Sequence, residues 1–143
     1  MLQIKIGDLF VSKAQVLVNP VNLEGVMGKG LALEFKKRFP EMFEQYRKFC
    51  LKKTFAAGQL WLYKGKEKWV LNFPTKISWR DPSDLALIES GLEKFKATYE
   101  SKGITSVAFP MLGCGCGGLK YADVLPLMER ILGDIPIDIT VYK

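Results

Sequence analysis

Two stretches of this chain follow the same order, from an apolar strand through a glycine-rich loop into a helix. The first is VNPVNLEGVMGKGLALEF at 18–35, and the second is PMLGCGCGGLKY at 110–121. Strands that alternate with helices in this way fold as a sheet whose faces are covered by the helices. This repeated order constrains the fold more than any other feature of the sequence.

The rest of the chain continues the alternation of strands and helices. Strands are predicted in LQIKIGD, AQVLVNP, ITSVAFPML and IDITVYK, and two more surround a Gly-Lys turn in QLWLYKGKEKWVLNF. Helices are predicted over 28–39, 41–52, 83–101 and 121–132, with Ser83 as the N-cap of the third. The order predicts one domain over 1–143, a three-layer α/β/α sandwich with a central mixed sheet.

The 143-residue chain contains no histidine and has three cysteines, Cys50, Cys114 and Cys116. The missing histidine excludes Ser-His-Asp and Cys-His nucleophile systems and any metal centre with histidine ligands. Three cysteines make a poor disulfide framework, and Cys-x-Cys alone does not supply the four ligands of a zinc site. We therefore expect no metal and no cofactor. Any catalytic group would be Lys, Asp, Glu, Cys, Tyr or bound water.

The formal net charge of +6 favours an anionic partner such as a nucleotide, a nucleic acid or phosphate. A basic surface that only keeps the protein in solution would give the same balance. No stretch approaches the roughly 20 apolar residues of a membrane span, and MLQIKIGDLF begins a strand pattern without a signal-peptide core. We expect a cytoplasmic monomer that does not bind membranes.

Both glycine-rich loops have the composition of a phosphate site. Gly25, Gly28 and Gly30 let the first loop turn tightly, and the helix after it offers free N–H groups and a positive dipole end. The second loop has glycine at 113, 115, 117 and 118, which indicates a backbone concavity around an anion. Either loop alone is more often a structural turn, whereas two of them at strand ends indicate a cleft for a diphosphate.

Three short polar side chains stand at strand ends near these loops. Asn19 and Asn22 are amides that donate to hydroxyl groups and accept from N–H groups. Asp8, in KIGDLF at 5–10, is suited either to accept from an exocyclic amine such as that of adenine or to cap a turn.

These segments together resemble the macrodomains, which bind ADP-ribose. GDLF stands where macrodomains carry a Gly-Asp-Ile/Val-Thr motif, and VNPVN is similar to their Val-Asn-Ala-Ala-Asn motif. GVMGKGLA and MLGCGCGG resemble their two phosphate loops, and VYK resembles their closing strand with its aromatic residue. The resemblance covers essentially the whole chain and implies the macrodomain fold.

Within the macrodomains, GVMGKGLALEFKKRFP, NFPTKISWR and LGCGCGGLKY are most similar to the DarG antitoxins and, more distantly, to the terminal ADP-ribose glycohydrolases. DarG proteins remove the ADP-ribose that a toxin, the ADP-ribosyltransferase DarT, attaches to thymidine in DNA. The resemblance implies that Lys76 is catalytic. The animal relatives also use an aspartate in the second loop, at a position that falls on Gly117 here. DarG proteins usually carry a further toxin-binding domain, so both a stand-alone enzyme and a part of a longer protein fit the resemblance.

The resemblance also implies which residues hold ADP-ribose. Asp8 would hold the adenine amine with Tyr142 nearby, and Asn22 would contact the distal ribose. The backbone of the two glycine-rich loops would cradle the diphosphate and place the anomeric carbon near Lys76. The implied set is Asp8, Leu9, Asn19, Asn22, Val26, Met27, Gly28, Lys29, Gly30, Thr75, Leu112, Gly113, Cys114, Gly115, Cys116, Gly117, Gly118 and Tyr142.

Lys76 has two alternative roles in such a reaction. A neutral amine would attack the anomeric carbon and form an adduct that resolves to a Schiff base, which requires a pKa lowered by burial or by cations such as Arg80 and Lys29. A charged ammonium would act electrostatically or give its proton to the leaving base. Without the neighbouring motifs, a lysine just past a strand is simply solvated.

Trp79 and Arg80 are the candidates for contacts to single-stranded DNA, because an indole stacks on an unpaired base and a guanidinium reaches a phosphate. The alternative is that Trp79 packs on the rim of the core. Two other functions also fit the motifs. One is a module that only recognises ADP-ribose, and the other is a phosphatase or deacylase of free ADP-ribose derivatives.

Overall fold

The computed structural model describes residues 2–143, and six strands form its centre. They are β1 (Leu2–Lys5), β2 (Val16–Val21), β3 (Trp61–Lys64), β4 (Trp69–Pro74), β5 (Ser106–Pro110) and β6 (Asp138–Tyr142). Their order in the sheet is β1-β6-β5-β2-β4-β3. Five strands run parallel, and β3 pairs antiparallel with β4 at one edge. The predicted mixed sheet is therefore confirmed.

Four helices cover the two faces of this sheet: α1 (Gly30–Arg38), α2 (Pro40–Leu51), α3 (Leu85–Thr98) and α4 (Tyr121–Leu132). Successive strand residues point to opposite faces. In β2, Leu17 lies in the core formed with α1 and α2, whereas Val18 lies in the core formed with α3 and α4. The alternation confirms the predicted α/β/α sandwich. Within residues 2–143, no helix has the length and apolar character needed to cross a membrane.

The sheet contains three neighbouring parallel strands, β5, β2 and β4, whose carboxyl ends therefore lie side by side. The segment 22–29 follows β2, the segment 75–84 follows β4, and the segment 111–120 follows β5. Ligands of open α/β sheets bind at the carboxyl ends of strands. The topology therefore brings the two glycine-rich loops and Lys76 together at the carboxyl ends of these strands.

The predicted N-cap of α3 is wrong by one residue. The cap is Asp84, whose side chain accepts a hydrogen bond from the N–H of Ala86 at 2.9 Å. Ser83 is buried instead, and its N–H donates to the carbonyl of Gly117 at 2.8 Å. Both residue types are good caps. The contact between Ser83 and the second glycine-rich loop leaves the cap position to the carboxylate.

Gly91 of α3 lies against the ring of Phe73 in β4. A Cβ at residue 91 would lie 2.4 Å from Cζ of that ring, which is fully buried. We predict that Gly91→Ala lowers the free energy of unfolding by about 1–3 kcal/mol through overpacking, although alanine favours a helix by about 1 kcal/mol over glycine. Urea denaturation measures the change. Gly115→Ala is the control because its Cβ would meet nothing within 4 Å, and equal stabilities of the two variants would contradict the prediction.

Candidate functional site

A cleft of about 990 Å³ opens where the loops after β2, β4 and β5 meet. Its walls come from these loops and from the first turn of α1. The lining residues are Pro20, Val21, Asn22, Val26, Gly28, Lys29, Gly30, Leu31, Ala32, Thr75, Lys76, Trp79, Arg80, Pro110, Met111, Gly113, Cys114, Gly115, Cys116 and Gly117. Lys76, Trp79, Arg80 and much of both glycine-rich loops thus share one cavity.

Tyr46 of α2 fixes the first loop through Asn22. The one proton of the Tyr46 hydroxyl is shared by two acceptors, the backbone oxygen of Asn22 at 2.8 Å and its side-chain oxygen at 2.9 Å. The Asn22 side chain also accepts from the N–H of Glu24 at 3.0 Å and donates to the carbonyl of Val26 at 2.7 Å. Burial raises the pKa of Tyr46, so its hydroxyl keeps the proton that it donates. Asn22 therefore shapes the loop as well as lining the cleft.

The first turn of α1 presents unused N–H groups to the cleft. Lys29 is the N-cap, provides no side-chain hydrogen bond to the turn, and is followed by no acidic residue there. The N–H groups of Gly30, Leu31 and Ala32 have no acceptor within the helix, and all three residues line the cleft. Together with the positive end of the helix dipole, they favour an anion.

The two glycine-rich loops approach each other at Gly30 and Cys116. Gly30 has a φ of +56°, which lies in the left-handed region that side chains disfavour. A Cβ at Gly30 would also come within 3.3 Å of Sγ of Cys116. Glycine at this position therefore allows both the turn into α1 and the narrow spacing of the loops.

The second loop is a series of tight turns. Backbone bonds run from Cys114 to Met111, from Gly118 to Gly115 and from Leu119 to Gly113. In the part of the chain that the structure describes, these turns do not use the N–H groups at 115, 116 and 117. Consecutive free N–H groups on a curved backbone form a concavity that binds anions. The loop thus faces the helix end across the cleft with the same kind of donor.

Lys76 reaches the cleft from the segment 75–84. Thr75 anchors the start of this segment, because its N–H donates to the carbonyl of Val21 and its carbonyl accepts from the N–H of Asp84, both at 2.9 Å. Lys76 is half-buried, and its Nζ lies 3.5 Å from the carbonyl oxygen of Trp79, at the long limit of a hydrogen bond. The amine is therefore turned towards the loop that carries Trp79 and Arg80.

Trp79 and Arg80 form a cation–π pair on the same wall. The guanidinium carbon of Arg80 lies 5.0 Å from the ring centre of Trp79, within cation–π range. Trp79 is 45% exposed, so solvent reaches it. The pair thus offers an aromatic ring and a positive charge beside Lys76.

The cleft is cationic. Lys29, Lys76 and Arg80 line it, and no carboxylate is among the described lining residues. Such a lining attracts anions, and it lacks the carboxylate pair that most glycoside hydrolases use. Its other nucleophilic side chains are the hydroxyl of Thr75 and the thiols of Cys114 and Cys116. Burial raises the pKa of the Cys114 thiol, which disfavours the reactive thiolate.

Several predicted ligand residues lie outside the lining of the cleft. Leu9, Asn19, Met27 and Leu112 are buried in the core, where Nδ2 of Asn19 donates to Sδ of Met27 at 3.7 Å. Gly118 is an exposed residue at the end of the second loop. The predicted roles of these residues in binding ADP-ribose stay predictions.

The two residues predicted at the adenine lie near the carboxyl ends of the paired strands β1 and β6. Asp8 caps the short 3-10 turn Leu9–Val11, where it accepts from the N–H of Phe10 at 2.9 Å. Tyr142 is half-buried at the end of β6, in register with Pro110, which lines the cleft. Turn capping, the alternative role predicted for Asp8, is thus present. Contact with adenine stays a prediction for both residues.

Sequence reasoning missed the residues that support the loops. Tyr46 stands at helical spacing with other apolar residues, a pattern that indicates only core packing. Ser83 resembles an ordinary cap, and neither residue belongs to a motif. Leu31 and Ala32 directly follow the GKG sequence at the predicted start of a helix. The sequence could therefore have predicted that their N–H groups have no partner within the helix.

The sequence profile of the Macro domain family matches residues 18–128. The chain belongs to the macrodomain family. This macrodomain is 41% identical over 141 residues to the DNA ADP-ribosyl glycohydrolase of Mycobacterium tuberculosis, a match that covers 95% of this chain and 40% of that protein. The chain spans about 40% of the length of the curated DNA ADP-ribosyl glycohydrolases that it matches.

Solved structures agree with this assignment. The macrodomain of Mycobacterium tuberculosis DarG superposes with a TM-score of 0.94 at 41% identity, covering 99% of this chain and 97% of that one. Thermosipho africanus DarTG in complex with ADP-ribose superposes with a TM-score of 0.89 at 40% identity, covering 95% of this chain and 39% of that one. The predicted resemblance to macrodomains of the DarG group is confirmed.

Gly117 of this macrodomain leaves no room for a side chain. A Cβ at residue 117 would lie 2.1 Å from Oγ of Ser83 and 2.4 Å from the carbonyl oxygen of Gly113. An aspartate here, as predicted for the animal relatives, would require the backbone of the loop to move. The close contact between the second loop and Ser83 thus accounts for the glycine.

We predict that Gly117→Ala weakens the binding of ADP-ribose by about tenfold, the equivalent of roughly one lost hydrogen bond, because the loop must shift its N–H groups. Isothermal titration calorimetry with ADP-ribose measures the change, and circular dichroism checks that the variant is folded. Gly115→Ala in the same loop has space for its Cβ and should lose less affinity. A folded Gly117→Ala variant with the parent's affinity would refute the prediction.

Proposed function

We propose that this macrodomain is an ADP-ribosyl glycohydrolase that removes ADP-ribose from thymidine in single-stranded DNA. The observation that carries the proposal is the position of Lys76, which lines the same cleft as both glycine-rich loops. The similar Mycobacterium tuberculosis protein is named DNA ADP-ribosyl glycohydrolase, which supports the proposal of a glycohydrolase that acts on DNA.

ADP-ribose is the ligand that fits the donors of the cleft. Its diphosphate would lie between the N–H groups of the first turn of α1 and those at 115–117, beside Lys29. The adenine would point towards Asp8 and Tyr142, which lie at the same side because β1 pairs with β6 and sets Lys5 opposite Tyr142. The distal ribose would then lie near Asn22 and Lys76. The solved complex of Thermosipho africanus DarTG with ADP-ribose supports this choice of ligand.

Lys76 can act on the anomeric carbon by either of two routes. In the first, the neutral amine forms a C–N bond as the bond to the base breaks, the base leaves with the electron pair and takes up a proton, and water hydrolyses the adduct through a Schiff base. In the second, the ammonium protonates the leaving base and water attacks the oxocarbenium-like carbon. Both routes use one amine and no carboxylate, as the described lining allows.

Trp79 and Arg80 are the proposed contacts for the DNA strand. An exposed indole beside the reacting carbon would stack on the modified base or its neighbour, and Arg80 would pair with a phosphate. Their place on the wall next to Lys76 supports this role.

The proposed setting is that of an antitoxin in the cytoplasm, paired with a DNA ADP-ribosyltransferase toxin of the DarT type. We also propose that residues 1–143 form a single, monomeric macrodomain. Strands β1 and β6 lie outside residues 18–128 and still pair into the common sheet, which supports this extent.

The test is an incubation of the parent and of Lys76→Ala with a thymidine-ADP-ribosylated single-stranded oligonucleotide, followed on a gel. We expect the parent to release ADP-ribose and the variant to lose at least about a hundredfold in rate, the scale of one acid–base or nucleophilic group. Calorimetry should show that the variant still binds ADP-ribose, because the loops are unchanged. Lys66→Ala is the matched control, since Lys66 is exposed and does not line the cleft.

Other outcomes would favour the alternative functions. A parent that binds ADP-ribose without releasing it from the oligonucleotide would be a reader or an enzyme for another linkage. Release of phosphate or an acyl group from free ADP-ribose derivatives would favour a phosphatase or deacylase. A Lys66→Ala variant as inactive as Lys76→Ala would remove the specific role of Lys76.

A further inference from the structure

The turn at 76–80, which carries Lys76, is only partly buried. Ile77 is 54% exposed and Trp79 is 45% exposed, so burial of apolar surface supports the turn only in part. Hydrogen bonds supply the remaining support. This matters because small displacements of a catalytic group cost much of its rate.

Two residues of the first glycine-rich loop supply these bonds. The N–H of Leu23 donates to the carbonyl of Ile77 at 2.9 Å. Oε1 of Glu24 accepts from the N–H of Trp79 at 3.1 Å. The turn is thus fastened to the loop that begins with Asn22.

Both backbone polar groups of Trp79 have a side-chain partner. The N–H of Trp79 donates to Glu24, and the carbonyl oxygen of Trp79 lies 3.5 Å from Nζ of Lys76. A continuous path of polar contacts therefore runs from Glu24 through the backbone of Trp79 to the Lys76 amine. Any displacement of this backbone changes both the amine's partner and the indole beside the cleft.

We propose that Glu24 is a positioning residue for the glycohydrolase reaction: its carboxylate locks the 76–80 turn against the first glycine-rich loop and so places Lys76 and the Trp79–Arg80 pair over bound ADP-ribose. The proposal rests on the proposed function. Glu24 itself does not line the cleft. It acts through the turn and not on the substrate.

The charge of Glu24 agrees with this role. The hydroxyl of Ser78, the N–H of Trp79 and the charge of Arg80 hold the pKa of Glu24 below its ordinary value. Folding therefore favours the ionised carboxylate. The extra stabilisation that the charge adds to these hydrogen bonds is fully present above the ordinary pKa of a glutamate and is lost as the pH falls through the lowered one.

The kinetic experiment compares Glu24→Ala, Glu24→Gln and the parent on the ADP-ribosylated oligonucleotide. We expect Glu24→Ala to lower kcat by about ten- to a hundredfold, while the Kd for ADP-ribose and the melting temperature stay close to the parent's. Glu24→Gln keeps an oxygen that accepts from the N–H of Trp79, so it should recover most of kcat. Glu44→Ala is the matched control, because Glu44 is an exposed glutamate paired with Arg47 at 3.2 Å.

A second readout does not depend on activity. In NMR spectra of the parent, the amide resonance of Trp79 should titrate at a pH below 4.5, the ordinary value for glutamate, and this titration should vanish in Glu24→Gln. Amide exchange at Trp79 should be faster in Glu24→Ala than in the parent, because the N–H has lost its acceptor.

Three outcomes would overturn the proposal or its basis. Parent-like kcat in Glu24→Ala would show that the carboxylate does not position Lys76. Equal losses of ADP-ribose affinity in both variants would make Glu24 a binding residue instead. An inactive parent would overturn the proposed function and the catalytic role with it, whereas the Trp79 amide would still show whether Glu24 holds the turn.

Discussion

The site depends on the pairing of β2 with β4. The two strands run parallel in a register that sets Asn19 opposite Asn72. Nδ2 of Asn19 donates to Oδ1 of Asn72 at 3.0 Å in the core, where a polar pair has no water to replace it. A slip of one residue would turn every side chain of a strand to the other face. The register therefore fixes the distance between the loop after β2 and Lys76 after β4.

Backbone hydrogen bonds carry this arrangement from the sheet to the loops. Thr75 bonds Val21 at the end of β2 and Asp84 at the start of α3, and the next residue back, Ser83, bonds Gly117 in the second glycine-rich loop. The segment after β4 thus ties the other two loops together. Because these contacts are made between groups of the protein itself, they hold the N–H groups that face the cleft, and such pre-organisation lowers the cost of binding an anion.

Local signals in the sequence were enough for the fold and for the place of the cleft. Alternating strands and helices predicted the α/β/α sandwich, and the glycines after β2 and β5 predicted two loops at one edge. Contacts between distant residues decided the rest. Ser83 and Asp84 are both good caps, and only the bond from Ser83 to Gly117 selects between them. Asn22 was predicted as a ribose contact, but its bonds to Tyr46, 24 residues away, leave no periodic signal. The binding and catalytic roles of the predicted residues stay predictions.

The groups suited to binding an anion and the group suited to chemistry lie on different parts of this cleft. The groups suited to an anion are backbone N–H groups of α1 and of the second loop. Because they belong to the backbone, they depend little on side-chain identity, except where a loop has no room for a Cβ, as at Gly117. The group suited to cleaving a glycosidic bond is one side chain, Lys76, in the partly buried turn 76–80 of a third segment. A macrodomain built this way can exchange or lose its chemistry through changes in the 76–80 turn without altering the cradle. If the proposed role of Lys76 is correct, the same fold serves for recognition alone and for hydrolysis, and the difference lies in what holds one amine in place.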